Sequence, residues 1–98
     1  MNTQYTHFIH LRKLVAASEY KTLSEAAGSL GLSPPAMTQG IKHLERELGV
    51  TLMSGTSRSR KLTPFGIAYA RELYEPVKAV SRFRETARRL QRDFPSED

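Results

Sequence analysis

The residues best suited to chemistry in this chain are its three histidines, His7, His10 and His43. His7 and His10 are one helical turn apart, but the three are not spaced for a metal site with a fourth ligand. The chain has no cysteine that could supply one. The sequence also contains no nucleophile–base pair and no glycine loop that could hold a phosphate. We therefore interpret these residues as surface histidines and predict no catalytic site, no metal site and no cofactor.

Binding chemistry is better supported, because the excess of positive charge is concentrated in one part of the chain. The net charge is +5 over 98 residues. Residues 33–62 carry only Glu45 and Glu47 as acidic residues, against five basic ones: Lys42, Arg46, Arg58, Arg60 and Lys61. A solvated basic face without a partner is the simpler interpretation, whereas a polyanionic partner explains the clustering.

A second signal is a stripe of small, polar and basic residues on one predicted helix, opposite its apolar face. The stripe consists of Pro34, Pro35, Thr38, Gln39, Lys42, His43 and Arg46. A face kept only for solubility would more often carry Glu–Lys pairs. A helix in the DNA major groove needs short side chains at its tip, followed by donors for base edges and phosphates. The stripe therefore predicts a recognition helix.

The elements that must position this stripe are a first helix over residues 7–20 and a short second helix. Thr22 and Glu25 have the spacing of a capping box at the start of the second helix, and Gly31 ends it. Ser33 caps the third helix and Pro34 is its first residue. Its apolar face is predicted from Met37, Ile41, Leu44 and Leu48, and Gly49 ends it. A short helix, a glycine-containing turn of about four residues and a capped third helix predict a helix-turn-helix.

A hairpin and a long helix are predicted to follow. Residues 50–53 and 60–63 form two short strands around a small loop, which would be a wing beside the third helix. Arg58 at its tip is suited to a narrow minor groove, and Arg60 joins the predicted DNA contacts. Thr63 and Pro64 begin a helix over residues 64–92, about 43 Å long, which Pro76 should kink.

The apolar residues of the long helix predict an intermolecular contact. Leu73, Val77, Val80 and Ala87 have nearly heptad spacing. Such a helix is too long to bury its stripe against a 60-residue globule. We favour pairing with a second copy because the seam is narrow, and packing on a missing downstream domain is the alternative.

The predicted fold class is mainly α, a winged helix-turn-helix with three helices and a short β-hairpin wing. It occupies residues 1–63, the linker helix for dimerisation occupies residues 64–92, and residues 93–98 form a frayed end. The N-terminus does not have the pattern of a signal peptide, and no apolar run reaches the roughly 20 residues of a membrane span. A cytoplasmic protein with no membrane partner is therefore expected.

The sequence resembles the N-terminal DNA-binding domain of the LysR-type transcriptional regulators over residues 8–66. The matching residues are Leu11, Leu14, Glu19, Ser24-Glu25-Ala26-Ala27, Leu30, Ser33, Pro35-Ala36, Ile41, Leu44-Glu45, Leu48-Gly49, Leu52, Arg58, Leu62-Thr63 and Gly66. The resemblance implies binding to double-stranded DNA and a homodimer through the linker helix. A C-terminal effector-binding domain usually follows in that family, and this chain stops where it would begin. The implied DNA contacts are Pro34, Pro35, Thr38, Gln39 and Lys42, with Arg58 from the wing.

The chain departs from the family pattern at four places. Pro34 stands where glutamine is common, and Gln39 stands where arginine or lysine is common, which shifts the preference from guanine toward adenine. Gly40 replaces a glutamine at a cost of about 1 kcal/mol in helix propensity. Met53-Ser54-Gly55 replaces Phe-x-Arg, which removes a phosphate contact.

Two other functions are weighed against a DNA-binding regulator. A dimeric helical adaptor with an incidental basic face predicts no salt-dependent binding to duplex DNA. RNA binding is disfavoured because no aromatic side chains accompany the basic residues to stack on bases.

Overall fold

The computed structural model describes residues 3–56 and 59–95. Within these ranges the chain forms five helices and one antiparallel sheet of two strands. In chain order they are α1 (Thr3–Glu19), α2 (Leu23–Ser29), α3 (Pro34–Leu48), β1 (Met53–Ser54), β2 (Lys61–Leu62), α4 (Pro64–Ser81) and α5 (Phe83–Asp93). The predicted fold class, mainly helical with a short β-hairpin, is confirmed.

The helix-turn-helix is held by the local contacts that its sequence predicts. The Thr22 hydroxyl accepts from the Glu25 N–H at 3.1 Å, and the Glu25 carboxylate accepts from the Thr22 N–H at 3.2 Å. Gly31 adopts a left-handed φ of 69°, and the Leu32 N–H donates to the Ala27 carbonyl at 2.9 Å. The Ser33 hydroxyl then accepts from the Ala36 N–H and begins α3. Each end of the turn therefore satisfies backbone groups that would otherwise be unpaired.

The core lies where α1 packs against α2, α3 and α4. Its largest fully buried side chains are Leu14, Val15, Met37, Ile41 and Leu52. The prediction that Leu48 is buried is wrong, since 47% of it is exposed. Gly49 turns the chain away at a φ of 68° directly after Leu48, so the last turn of α3 extends beyond the core.

The hairpin is shorter than predicted, and the side chain of Glu45 binds two backbone N–H groups at its base. Met53 pairs with Leu62, and Ser54 pairs with Lys61. The N–H groups of Leu52 and Met53 instead donate to one carboxylate oxygen of Glu45, at 2.7 and 3.1 Å. The base of the hairpin is thus attached to α3.

The single long helix predicted over residues 64–92 is two helices in the structure. Arg82 separates α4 from α5, whereas Pro76 lies inside α4. The Ser81 hydroxyl donates to the Val77 carbonyl at 2.8 Å, a side-chain contact of the kind that bends helices. The helix is thus interrupted six residues beyond Pro76, and a kink at Pro76 itself stays a prediction. No helix in the described ranges combines the length and apolar character needed to cross a membrane.

Candidate nucleic-acid interface

A groove of about 490 Å³ lies between the start of α2, the N-terminal half of α3 and the second strand of the hairpin. Six of the residues predicted to contact DNA line it: Pro34, Pro35, Thr38, Gln39, Lys42 and Arg60. The first four belong to the tip of α3, where the helix begins at a capped serine. The structure therefore brings five of the seven stripe residues together with Arg60 of the hairpin on one surface, while His43 and Arg46 do not line the groove.

The groove is electropositive. Lys21, Lys42, Arg60 and Lys61 line it, and no carboxylate is among its described lining residues. Several like charges around a concave surface raise the local concentration of an anionic ligand. The Nε of Arg60 is buried and has no hydrogen-bond partner in the described part of the chain. A buried donor of this kind is stabilised when an acceptor, such as a phosphate oxygen, reaches it.

Sequence reasoning missed six residues of the groove: Lys21, Thr22, Leu23, Ser24, Ser59 and Lys61. A signal was available for the first four, because the capping box marks the start of α2, and the first helix of a helix-turn-helix crosses the DNA backbone. Lys61 belongs to the basic residues of the range 33–62, but the sequence did not assign it to the DNA contacts. Its neighbour in the hairpin, Arg60, was assigned.

Two other predicted contact residues, Ser33 and His43, do not line the groove. Ser33 is exposed, and its hydroxyl is occupied by the Ala36 N–H, so its role in the structure is to cap α3. The prediction for His43 is corrected, since its ring faces α1 and lies 4.6 Å from the ring of His10. Lys42 lines the groove, whereas the ring of His43, about 100° further around α3, packs toward α1. Arg58 lies outside the described residues.

Gly40, which looked unfavourable in a helix, allows α1 to approach α3 closely. It is buried, and a Cβ at this position would overlap the side chain of Lys13 and come within 2.9 Å of the His10 Nδ1. The loss of helix propensity at this glycine is thus accompanied by closer packing of the recognition helix on α1.

The predicted dimerisation residues divide into two groups. Leu73 is half-buried against the core, and Val77 is 4% exposed in the packing of α4 on α1. The assignment of Val77 to the seam is corrected, because its own chain covers it. Val80 is 52% exposed, Ala87 is exposed, and α5 has no buried residue.

Comparison with known proteins places these features in a family. Residues 8–67 match the bacterial regulatory helix-turn-helix protein, lysR family. A probable hydrogen peroxide-inducible genes activator from Streptomyces viridosporus is 34% identical over 84 residues, which cover 86% of this chain and 27% of that protein. The HTH-type transcriptional regulator IlvR from Caulobacter vibrioides is 34% identical over 87 residues, which cover 89% of this chain and 27% of that protein.

Solved structures agree with this relationship. The DNA-binding domain of BenM in its complex with catB site 1 DNA superimposes with a TM-score of 0.69 at 27% identity, covering 93% of this chain and 98% of that one. The CbnR DNA-binding domain in its DNA complex gives a TM-score of 0.67 at 28% identity, covering 85% and 95%.

The relatives named here are gene activators and transcription regulators, not enzymes, in agreement with the prediction that this chain is not an enzyme. This chain spans about a quarter of the length of the curated relatives. The predicted resemblance over residues 8–66 is confirmed by a match that covers well over half of the sequence, and the chain belongs to the LysR family of bacterial regulatory helix-turn-helix proteins.

Proposed function

We propose that this chain binds double-stranded DNA sequence-specifically through the groove and acts as a transcription regulator in the bacterial cytoplasm. The observation that carries the proposal is the groove itself, in which the tip of α3 lies between basic residues of the α2 start and the hairpin. The relatives solved with DNA share this fold. In the proposed complex α3 enters the major groove.

Two residues of α3 are assigned different parts in recognition. Gln39 is exposed on the groove side, and its amide can pair bidentately with an adenine. Lys42 is exposed almost one turn further along, where a phosphate can approach its ammonium group. Arg60 contacts the DNA backbone from the hairpin, and Arg58, which the sequence predicts at the wing tip, enters the adjacent minor groove.

These assignments are tested by separating base reading from phosphate attraction. The preferred site is first selected from random duplexes, and each variant is then titrated against that site and a random duplex at several salt concentrations. Gln39→Ala should cost about 1–3 kcal/mol on the preferred site and much less on random DNA. Lys42→Ala should weaken both and lower the salt slope by about one unit. Identical behaviour of the two variants would show that the assigned roles are wrong.

We further propose a homodimer that forms through the C-terminal end of α4 and through α5. The exposed apolar residues there are Val80, Phe83, Leu90 and Phe94. Ala87 lies between them on α5, whereas Leu73 and Val77 mainly hold α4 against its own domain. Two symmetry-related copies would present two copies of α3, so the preferred site should be an interrupted inverted repeat.

Sedimentation velocity at micromolar concentration tests the dimer. Val80→Glu combined with Leu90→Glu should give monomers, because two charges would be buried against an apolar face. Leu48→Glu is the matched control, since Leu48 is similarly exposed but lies at the end of α3. A wild-type chain that stays monomeric at high concentration, or a control that also dissociates, contradicts the proposed interface.

A further inference from the structure

Three potential metal ligands meet on the side of α3 that faces α1. They are His7 on α1 and His43 and Glu47 on α3, and their ligand atoms all lie within 4.8 Å of one another. We propose that these three side chains bind a divalent transition-metal ion, with Zn²⁺ as the best match, and so connect α1 to the recognition helix. This proposal does not rest on the DNA-binding function.

The spacing of the ligands suits a metal ion held between two helices. His43 and Glu47 are four residues apart and therefore project from the same face of α3. His7 approaches from the facing helix. In a tetrahedral site with bonds of about 2.1 Å, ligand atoms are about 3.4 Å apart, so the present separation requires only small side-chain movements.

The donor set indicates which ions fit. Two imidazole nitrogens and one carboxylate oxygen match Zn²⁺ and similar transition metals, whereas Mg²⁺ prefers sites made largely of oxygen. Three protein ligands leave a fourth position for water. The side chains of His7 and Glu47 are 35% and 47% exposed, so an ion can reach them from solvent.

The contacts within the cluster leave room for a metal. His7 Nε2 and Glu47 Oε2 are 3.6 Å apart, which is too long for a direct hydrogen bond. The rings of His10 and His43 lie 4.6 Å apart, so His10 packs against one of the ligands. Gly40 makes this arrangement possible, because a Cβ there would crowd His10. From the sequence His7 and His43 were predicted to be surface histidines and not metal ligands, because their 36-residue separation does not show that the fold brings them together.

The test is calorimetric titration of the whole chain, freed of metal with a chelator, using zinc chloride and, separately, magnesium chloride. We expect one Zn²⁺ per chain and no measurable binding of Mg²⁺. Saturating Zn²⁺ should also raise the Tm by at least about 5 °C, because the ion binds the folded state alone.

Two ligand variants and one control assign the site. His43→Gln and Glu47→Ala should each weaken Zn²⁺ binding at least about tenfold. Glu47 is exposed, so its loss should leave the fold intact and keep the test decisive if the His43 variant is unstable. Glu85→Ala, an exposed carboxylate on α5, is the matched control and should bind Zn²⁺ like the wild type.

Three results would overturn the proposal. The first is the absence of Zn²⁺ binding to the wild type at millimolar concentration. The second is wild-type affinity in Glu47→Ala or in a folded His43→Gln variant. The third is one Zn²⁺ per two chains, which would place the ion between copies.

Discussion

The N-terminal body of the molecule and its C-terminal arm differ in how much of their apolar surface is buried. The body, residues 7–77, contains all the described buried apolar side chains, among them Leu14, Met37 and Ile41. The arm, residues 80–94, buries none of its own, and Val80, Phe83 and Phe94 are each more than half exposed. An isolated helix of eleven residues is marginal in water. The difference indicates that the body is stabilised by its own core, whereas α5 has no buried side chain that would stabilise it.

Helix caps show the same contrast. The hydroxyls of Thr22, Ser33 and Thr63 each accept an N–H at the start of a body helix. Arg82, before α5, makes no such side-chain bond. In the body, local signals and tertiary packing agree, which is typical of sequences that specify one fold.

The largest expected effect is on stability: truncating a core side chain of the body should lower the free energy of unfolding far more than truncating an apolar side chain of the arm. Ile41→Ala should lower the free energy of unfolding by about 2–5 kcal/mol at any protein concentration, because Ile41 is fully buried. Leu90→Ala should change it by less than about 0.5 kcal/mol in dilute, monomeric protein. The measurement is urea unfolding followed by circular dichroism at two protein concentrations. If both variants lost a similar free energy of unfolding in dilute solution, the proposed difference between body and arm would be contradicted.

The attachment of the hairpin to α3 should have the next largest effect. Glu45→Gln replaces the charged acceptor of two N–H groups by a neutral amide oxygen, so it should cost about 1–3 kcal/mol and speed hydrogen exchange at Leu52 and Met53. Glu85→Gln, a carboxylate on the arm, is the matched control and should have little effect on stability. Unchanged exchange at the two amides in the Glu45 variant would mean that the carboxylate does not hold the hairpin.

The cap of α4 should be worth somewhat less. Thr63 accepts from the Gly66 N–H at 3.0 Å and donates to the Thr51 carbonyl at 2.8 Å. Thr63→Ala should therefore cost about 1 kcal/mol, and Thr63→Ser should restore most of it. Arg82→Ala should be nearly neutral, because no cap is lost there. Thermal unfolding of the three variants checks the order, and a larger loss at Arg82 than at Thr63 would contradict it.

The smallest expected effect is a pH dependence that belongs to the body. Burial, followed by the charges of Lys13, His43 and His7, lowers the pKa of His10 from its ordinary value of 6.5. The unfolded chain therefore takes up this proton first as the pH falls. The contribution of His10 to the free energy of unfolding is fully present above pH 6.5. It is lost as the pH decreases through the lowered pKa of the folded state.

Urea unfolding at pH 7.5 and 5.5, with chelator present, tests this contribution. The wild type should lose more stability over that interval than His10→Asn, in which the group cannot titrate. Equal losses in the two proteins would show that His10 does not contribute to the pH dependence.

Sequence reasoning succeeded where a feature depends on neighbours along the chain. The caps at Thr22, Ser33 and Thr63 and the turn at Gly31 all act over a few residues, and the predicted groove stripe follows from the period of α3. It failed where a feature depends on contacts between segments that are far apart in the sequence. The burial of Val77 depends on how α4 packs on α1, and the position of His43 depends on the close approach at Gly40. The role of Glu45 depends on the path of the chain seven and eight residues later.

The central claim, that the groove is the DNA-binding surface, is tested most directly by the salt dependence of binding to a random duplex. Fluorescence anisotropy at 50 and 200 mM salt would compare the wild type with Lys42→Ala/Arg60→Ala and with Arg92→Ala/Arg89→Ala, which removes the same charge from α5. The groove variant should bind much more weakly, with a salt slope smaller by about two units, while the α5 variant stays close to the wild type. Equal weakening by both pairs, or wild-type binding that does not respond to salt, would contradict the claim.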